Sequence, residues 1–471
     1  MLKYRRKLQL IMALSVGLFW STVQAQDPYI PGQLIMKLIP SQVPDSVVAE
    51  IDGIAIDSIA GRDMFLVEFP ATLPVEAAIE FLSNLPDVVF SQPNYQISLP
   101  EIQQTSIAFP DEDIPPFVAG ASPGSLYGQP AAYSIGLDSA HIITRGEGSV
   151  VAVIDNGIEL THPYFEGSIN SSGYDFVDQD DIPAEEQGAA YGHGTFVAGL
   201  IRLTAPQTSL LPIRAFDGDG IGTSFTVASA ISLATVLDVD VINMSFVFRE
   251  DNPSLQAACA EAIDFGIALV AAAGNQASSS LSYPAALPGV IAVSALDTID
   301  LIADFSNYGT HIDVCAPGVN LYSSLAGEYE WGTWSGTSFA APLVSATCAL
   351  VRSINPDISP LDMEAHVRMS SDTEFAWGSI SQPDIYYSYG RIAAFSSVVA
   401  FSYGDLDMSG EINITDLTAL VGYCFLGKPL SNLGRRLTDF DCSTQFNIGD
   451  VVGLVEYIFG GGTDFMPCYA D

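Results

Sequence analysis

Three short segments carry side chains able to do nucleophilic chemistry. Ile154-Asp155-Asn156-Gly157 ends an apolar run, which stands a carboxylate at the carboxyl edge of a parallel sheet, where open α/β sheets place their sites. Gly192-His193-Gly194-Thr195-Phe196-Val197-Ala198-Gly199 sets an imidazole, the group that exchanges protons near neutral pH, between glycines that permit close backbone approach. Gly336-Thr337-Ser338-Phe339-Ala340-Ala341-Pro342 runs into a helical stretch, Leu343 to Val351. Ser338 therefore stands at a helix N-terminus, where free N–H groups and the dipole favour a developing oxyanion. Singly, each has a plainer reading: an Asp or Ser helix cap, or a structural His filling a polar gap.

Together, in the chain order Asp, His, Ser, the three motifs make the sequence resemble the subtilisin-like serine proteases (subtilases, peptidase family S8), whose order differs from the chymotrypsin and α/β-hydrolase versions of the same triad. Ala271-Ala272-Ala273-Gly274-Asn275 matches the family segment that supplies an oxyanion-hole amide. The resemblance continues through Tyr283-Pro284-Ala285, Phe305-Ser306-Asn307-Tyr308-Gly309 and Ala316-Pro317-Gly318-Val319 to Gly390-Arg391-Ile392, covering roughly residues 130–400. It implies that Asp155 orients the imidazole, that His193 takes the hydroxyl proton and later returns it to the leaving amine, and that Ser338 attacks the scissile carbonyl of a polypeptide substrate. Asn275 and the Ser338 N–H would hold the tetrahedral intermediate. Substrate contacts are implied for Gly220, Gly222 and Gly274, and for Ser245, Phe246 and Val247.

Three positions depart from the family pattern. Asn156 stands where Thr or Ser is usual and Phe196 where His is common; neither transfers a proton, so activity should survive both. Ser245-Phe246-Val247-Phe248 replaces the usual Ser-Leu-Gly-Gly beside the primary specificity pocket. Side chains there should reshape the pocket toward smaller residues. The glycine-rich stretch Asp217 to Thr223 reads equally as a strand that pairs with an extended peptide or as an acidic loop.

The elements that must position these groups are legible as short apolar runs alternating with helical stretches. Val150 to Ile154, Val239 to Met244, Ala268 to Ala273 and Val290 to Val293 read as buried parallel strands; Thr223 to Val236 and Ser254 to Phe265 read as crossover helices. The expected class is α/β, a subtilisin-like doubly wound, mostly parallel sheet over residues 131–400. Ahead of it, Gln33 to Leu38, Met64 to Phe69 and Val88 to Phe90 read as strands and Pro74 to Leu85 as a helix. That small α+β unit, residues 26–98, resembles the propeptide that chaperones and inhibits many subtilases, the alternative being an unrelated small domain. Residues 99–130, with Pro110-Asp111-Glu112-Asp113 and Pro115-Pro116, read as a linker open to processing.

Residues 1–25 carry the marks of a secretory signal: basic Lys3, Arg5, Arg6 and Lys7, an apolar stretch Leu8 to Trp20, and Val23-Gln24-Ala25 as a cleavage site. The expected product is extracellular, with no stable membrane insertion and no later segment apolar enough to span. A formal net charge of −39, from 16 basic against 55 acidic residues, repels nucleic acid and attracts divalent cations. Cys259, Cys315 and Cys348 sit in apolar surroundings as small hydrophobes; Cys424, Cys442 and Cys468 crowd the tail, where a small module has use for a staple.

The tail, residues 401–471, repeats at a spacing of 34 residues. Asp405, Asp407, Ser409, Glu411 and Asp416, with Gly410 at the turn, and Asp439, Asp441, Ser443, Gln445 and Asp450 supply hard oxygen ligands at spacings that suit calcium. Thr444 replaces the turn glycine in the second loop. The paired loops and helices resemble the dockerin type I module, which implies calcium binding and a cohesin-like partner. The whole reads as an exported serine endopeptidase made as an autoinhibited precursor; the other reading is a catalytically silent binding protein attached through its tail.

Overall fold

The computed structural model describes residues 29–101, 117–119, 126–250, 252–327, 330–372, 389–402, 414–426 and 448–460. In the N-terminal unit the strand β1 (Tyr29–Leu38) is followed by a short helix α1 (Pro44–Val48), β2 (Ile54–Ile59), β3 (Met64–Glu68), α2 (Val75–Ser83) and β4 (Val88–Ser98). The strands form an antiparallel sheet in the order β2-β3-β1-β4. Strand β1 is apolar on both faces because both are covered. Leu34, Met36 and Leu38 pack with Ala78, Phe81 and Leu82 of α2, whereas Ile35 joins Ile59, Met64, Ile97 and Leu99 in a core shared with the next domain.

Strand β4 continues to Ser98, beyond the expected end at Phe90. Its last residues pair antiparallel with β9 (Ile221–Thr223), so the N-terminal sheet borrows its fifth strand from the following domain. That domain contains β5 (Phe117–Ala119), α3 (Pro130–Ser134), α4 (Leu137–Ile143), β6 (Val150–Asp155), β7 (Tyr174–Asp175), α5 (His193–Thr204), β8 (Ser209–Arg214) and β9. It continues with α6 (Ser224–Val236), β10 (Val241–Met244), α7 (Pro253–Asp264), β11 (Ala268–Ala272), β12 (Val290–Leu296), β13 (Val314–Pro317), β14 (Leu321–Ser324), β15 (Trp331–Trp334), α8 (Thr337–Ile354), α9 (Pro360–Met369) and α10 (Ala394–Ser402).

Seven parallel strands in the order β13-β12-β11-β10-β6-β8-β7 make the central sheet among the described residues. Val151, Val153, Val270 and Val293 face α5 and α8, whose Phe196, Leu200, Phe339 and Leu343 share one core. Ala152, Ile154, Ile242 and Leu269 face α6 and α7 on the other side. Coverage of both faces is why the strands read as unbroken apolar runs, and it bears out the doubly wound α/β expectation. The 18 residues of α8 are, by length and composition, apolar enough to cross a membrane, contrary to the sequence expectation, but they form the buried central helix of this domain.

In the tail, α11 (Ile414–Leu426) and α12 (Ile448–Gly460) pack on each other, at the spacing of the sequence repeat. The signal segment, Cys442 and Cys468 and most of the two acidic loops, including Asp405, Asp407, Ser409, Glu411, Asp439, Asp441, Ser443 and Gln445, lie outside the described residues.

Candidate active site

Asp155 is the last residue of β6 and His193 the first of α5, so the carboxyl edge of the sheet delivers both. His193 Nδ1–H donates to Asp155 Oδ1 at 2.8 Å, and the same oxygen accepts from the Asn156 N–H at 2.9 Å. Asn156 couples the two motifs. Its Oδ1 accepts from the Gly194 N–H and its Nδ2 donates to the Ala190 carbonyl, each at 2.9 Å. Gly194 has no alternative at this point, because a Cβ there would lie 2.0 Å from the Gly157 carbonyl oxygen. The imidazole is wholly buried, with Phe339 and Trp334 rings at 5.2 and 5.8 Å.

Ser338 is the second residue of α8. Four residues on, Pro342 has no N–H, so the Ser338 carbonyl lacks its usual helical donor; the Ser245 hydroxyl donates to it instead at 2.7 Å. Beside it, the Thr337 N–H and hydroxyl both donate to Asn275 Oδ1, at 2.9 and 2.8 Å. Two donors on that oxygen fix the amide so that Nδ2 faces the centre. Gly274 supports the same corner, its N–H donating to Thr337 Oγ1 at 3.0 Å. Asp155, His193, Ser338, Ser245, Gly274 and Asn275, from five separate sequence segments, thus come together.

Between them lies a residue that the sequence reading placed in the linker. Glu101 Oε2 accepts from the Ser338 hydroxyl at 2.8 Å and from His193 Nε2–H at 3.1 Å, and Oε1 accepts from Asn275 Nδ2 at 2.8 Å. Ser338 Oγ also lies 3.0 Å from the Ser245 carbonyl, so its single proton has two acceptors. Carboxylates on both ring nitrogens call for the doubly protonated imidazole. Burial alone would lower the His193 pKa, but the Asp155 charge and hydrogen bond, then Glu101, outweigh it and push the ring up to about 10.

Glu101 arrives on the end of β4. Gln96, Ile97 and Ser98 pair with Thr223, Gly222 and Ile221, and the Leu99 N–H donates to the Gly220 carbonyl at 3.0 Å. The stretch Asp217 to Thr223 is therefore a strand edge holding an extended chain, with Gly220 and Gly222 as its contacts. A signal was present in the sequence, since the alternating Gln96-Ile97-Ser98-Leu99 continues the strand, but Glu101 itself follows Pro100 as a lone acidic residue between Asp87 and Asp111, with no motif around it. Phe246 and Val247 are buried, Phe246 against Phe216 at 5.2 Å, and Phe248 exchanges backbone hydrogen bonds with Tyr283. Of the expected calcium ligands, Asp416 lies fully buried in α11 and Asp450 lies within α12.

A family model described as "Subtilase family" (Peptidase_S8) matches residues 146–391, and one described as "Fervidolysin N-terminal prodomain" matches residues 20–94. A thermophilic serine proteinase from Bacillus sp. (strain AK1) is 32% identical over 386 residues, 79% of this chain and 88% of that protein. A halolysin-like extracellular serine protease from Natrialba magadii is 33% identical over 284 residues, 57% of this chain and 51% of that one. The crystal structure of fervidolysin from Fervidobacterium pennivorans superposes with a TM-score of 0.64 at 23% identity, over 80% of this chain and 62% of that one, and so shares the fold. With a family model spanning just over half of the 471 residues and a proteinase matched along most of its length, the chain belongs to the subtilase family, a subtilisin-like serine proteinase preceded by a fervidolysin-like prodomain.

Proposed function

We propose that the chain is a secreted endopeptidase made as an autoinhibited precursor, with Ser338 as nucleophile, His193 as general base, Asp155 orienting that base, and Asn275 with the Ser338 N–H as oxyanion donors. One observation carries this reading: Ser338, His193 and Asn275 converge on a single carboxylate, with Asp155 behind the imidazole. An anion held at that point occupies the place where negative charge develops during acyl transfer. In the mature enzyme a substrate carbonyl takes that place. Ser338 attacks it as His193 accepts the hydroxyl proton, Asn275 stabilises the oxyanion, the imidazolium protonates the leaving amine, and water then releases the acyl group. The silent-binding alternative has no need of all four groups in this arrangement.

The strand edge Gly220 to Thr223 would bind substrate as it binds residues 96–99, by main-chain hydrogen bonds. Val247 and Phe248 bring side chains to the wall where the family usually has glycines, and so favour smaller residues before the cleaved bond. Incubating the matured chain with a library of unstructured peptides, followed by mass spectrometry, reads both claims. Internal cleavage after small residues is expected. No cleavage at all sinks the endopeptidase assignment, and a preference for large aromatics sinks the pocket reading alone.

Secretion rests on the basic and apolar segments of residues 1–25, and agrees with the extracellular relative. For the tail we propose two calcium ions and a docking role toward a cohesin-like partner. Asp416 supports the first site, since a fully buried carboxylate in the opening turn of α11 suits the last ligand of a calcium loop. Stripping calcium from the full chain with EDTA should lower the melting temperature of the tail transition by several degrees and reduce helical ellipticity, both restored by added calcium. An unchanged tail transition counts against the calcium sites.

A further inference from the structure

The imidazole of His193 can reach Asp155 only while the first turn of α5 stays in register with the loop leaving β6, and that turn lacks a cap of its own. Its N-cap residue, Gly192, has no side chain, and no acidic residue follows in the first turn. Four backbone N–H groups at such an end need acceptors from elsewhere. Two are accounted for by the Ala190 carbonyl, which accepts from His193 N at 3.0 Å, and by Asn156 Oδ1, which accepts from Gly194 N. The two that remain, Gly192 N and Thr195 N, both donate to Glu185, to Oε2 and Oε1 respectively, each at 2.9 Å.

Glu185 is itself fastened to the Asp155 side of the site. Its N–H donates to the Ile158 carbonyl at 3.3 Å, and Ile158 N–H donates to the Pro183 carbonyl at 3.1 Å. Gly157, at a φ of +99°, allows this approach: a Cβ there would lie 2.7 Å from the Ala184 carbonyl carbon and oxygen and 2.8 Å from Glu185 N. The loop after Asp155 and the turn carrying His193 are thus joined through one residue, Glu185, by its backbone N–H on one side and its carboxylate on the other.

We propose that Glu185 is a positioning residue for proton transfer: by clasping the backbone N–H groups on either side of His193 and tying them to the loop that follows Asp155, it holds the imidazole on its carboxylate partner. Both oxygens of the clasp must accept, so an ionised carboxylate serves it and a protonated one serves it less well. Burial pushes the Glu185 carboxyl up, against the pull of the Thr195 N–H, and the Asp155 charge adds to the rise, to about 8. Of the titratable groups near it, Asp155 on β6 and Tyr191 on the loop before α5 act on it electrostatically, His193 lies between the two N–H groups that it holds, and the adjacent Glu186 is turned to Arg214. Below about pH 8 the clasp carries a proton and loses an acceptor, and above it both bonds form.

This inference rests on His193 as the general base. The test measures kcat and KM of the matured full chain on a fluorogenic peptide across pH, with Glu185→Gln and Glu185→Asp beside wild type and Ser338→Ala. For Glu185→Gln, kcat is expected to fall about tenfold or more with KM within about twofold, because misplacing a catalytic group costs rate rather than binding. On top of the rise that His193 itself gives as it loses its proton, the further rise in kcat near pH 8 should disappear in the same variant and persist in Glu185→Asp, which keeps the titrating carboxylate. Wild-type kcat, KM and pH profile in Glu185→Gln, even with a lowered melting temperature, would overturn the proposal and leave a structural cap. Failure of the triad reading looks different: Ser338→Ala would then retain wild-type activity.

Should Glu185 variants fail to mature, the uncut full chain carrying Ser338→Ala gives a second readout, the downfield proton resonance of His193 Nδ1–H on Asp155. Its loss or marked shift on adding Glu185→Gln supports the clasp, and an unchanged resonance overturns it.

Discussion

Ser338→Ala should abolish peptide hydrolysis, with kcat falling on the order of 10⁶-fold, a magnitude taken from subtilisin itself, and should leave the chain unprocessed. The substitution removes one hydroxyl from a position already buried in the second residue of α8. What is lost structurally is small: the contacts to Glu101 and to the Ser245 carbonyl. The bond that replaces the missing helical donor at Pro342 runs from Ser245 to the Ser338 carbonyl, and alanine keeps that acceptor. Asn275 likewise stays fixed by Thr337. The variant should therefore fold, with its melting temperature close to wild type, while losing nearly all rate. Casein hydrolysis and the mass of the secreted product check it side by side. Equal hydrolysis and equal processing in the two chains would end the assignment of Ser338.

Much of this site was legible because its parts obey local rules. Asp155 ends an apolar run, His193 is flanked by glycines that close contacts demand, and Ser338 heads a helix; each property shows in a window of a few residues. The central sheet was legible for a similar reason, since strands buried on both faces need no polar alternation. Strand β2 was missed because it offers almost no buried face, with only Ile59 fully covered, so nothing in its pattern distinguishes it from a loop. Glu185 and Glu186 are adjacent carboxylates in one acidic turn, yet one clasps α5 and the other pairs with the buried Arg214 at 2.7 Å. Sequence alone has no means of telling them apart, because their partners lie on different elements. Glu101 was hidden by the same logic: its partners are 92, 174 and 237 residues away.

Replacing Glu101 should unlock the precursor without releasing the prodomain. In uncut full chain, Glu101→Ala is expected to speed the labelling of Ser338 by a sulfonyl fluoride by about 10²- to 10⁴-fold. The estimate follows from the loss of charge-assisted bonds worth about 1.5–3 kcal/mol each, two of which suffice. The strand edge remains to hold the prodomain, since Gln96 to Leu99 pair with Gly220 to Thr223 through the main chain. The carboxylate acts twice, covering the Ser338 hydroxyl and holding His193 in the protonated form that cannot act as a base. Because the His193 pKa is raised to about 10 in the precursor, its ion pairs contribute fully below the ordinary imidazole value of about 6.5 and are lost as pH climbs through about 10. Labelling of the wild-type precursor should consequently accelerate between pH 7 and 10, and the Glu101→Ala precursor should show a weaker rise, its imidazole having only Asp155 to hold the proton. Glu101→Gln, of the same shape without the charge, should fall between the two. Identical labelling of wild type and Glu101→Ala across that range would mean that the strand alone inhibits and that the carboxylate is a bystander.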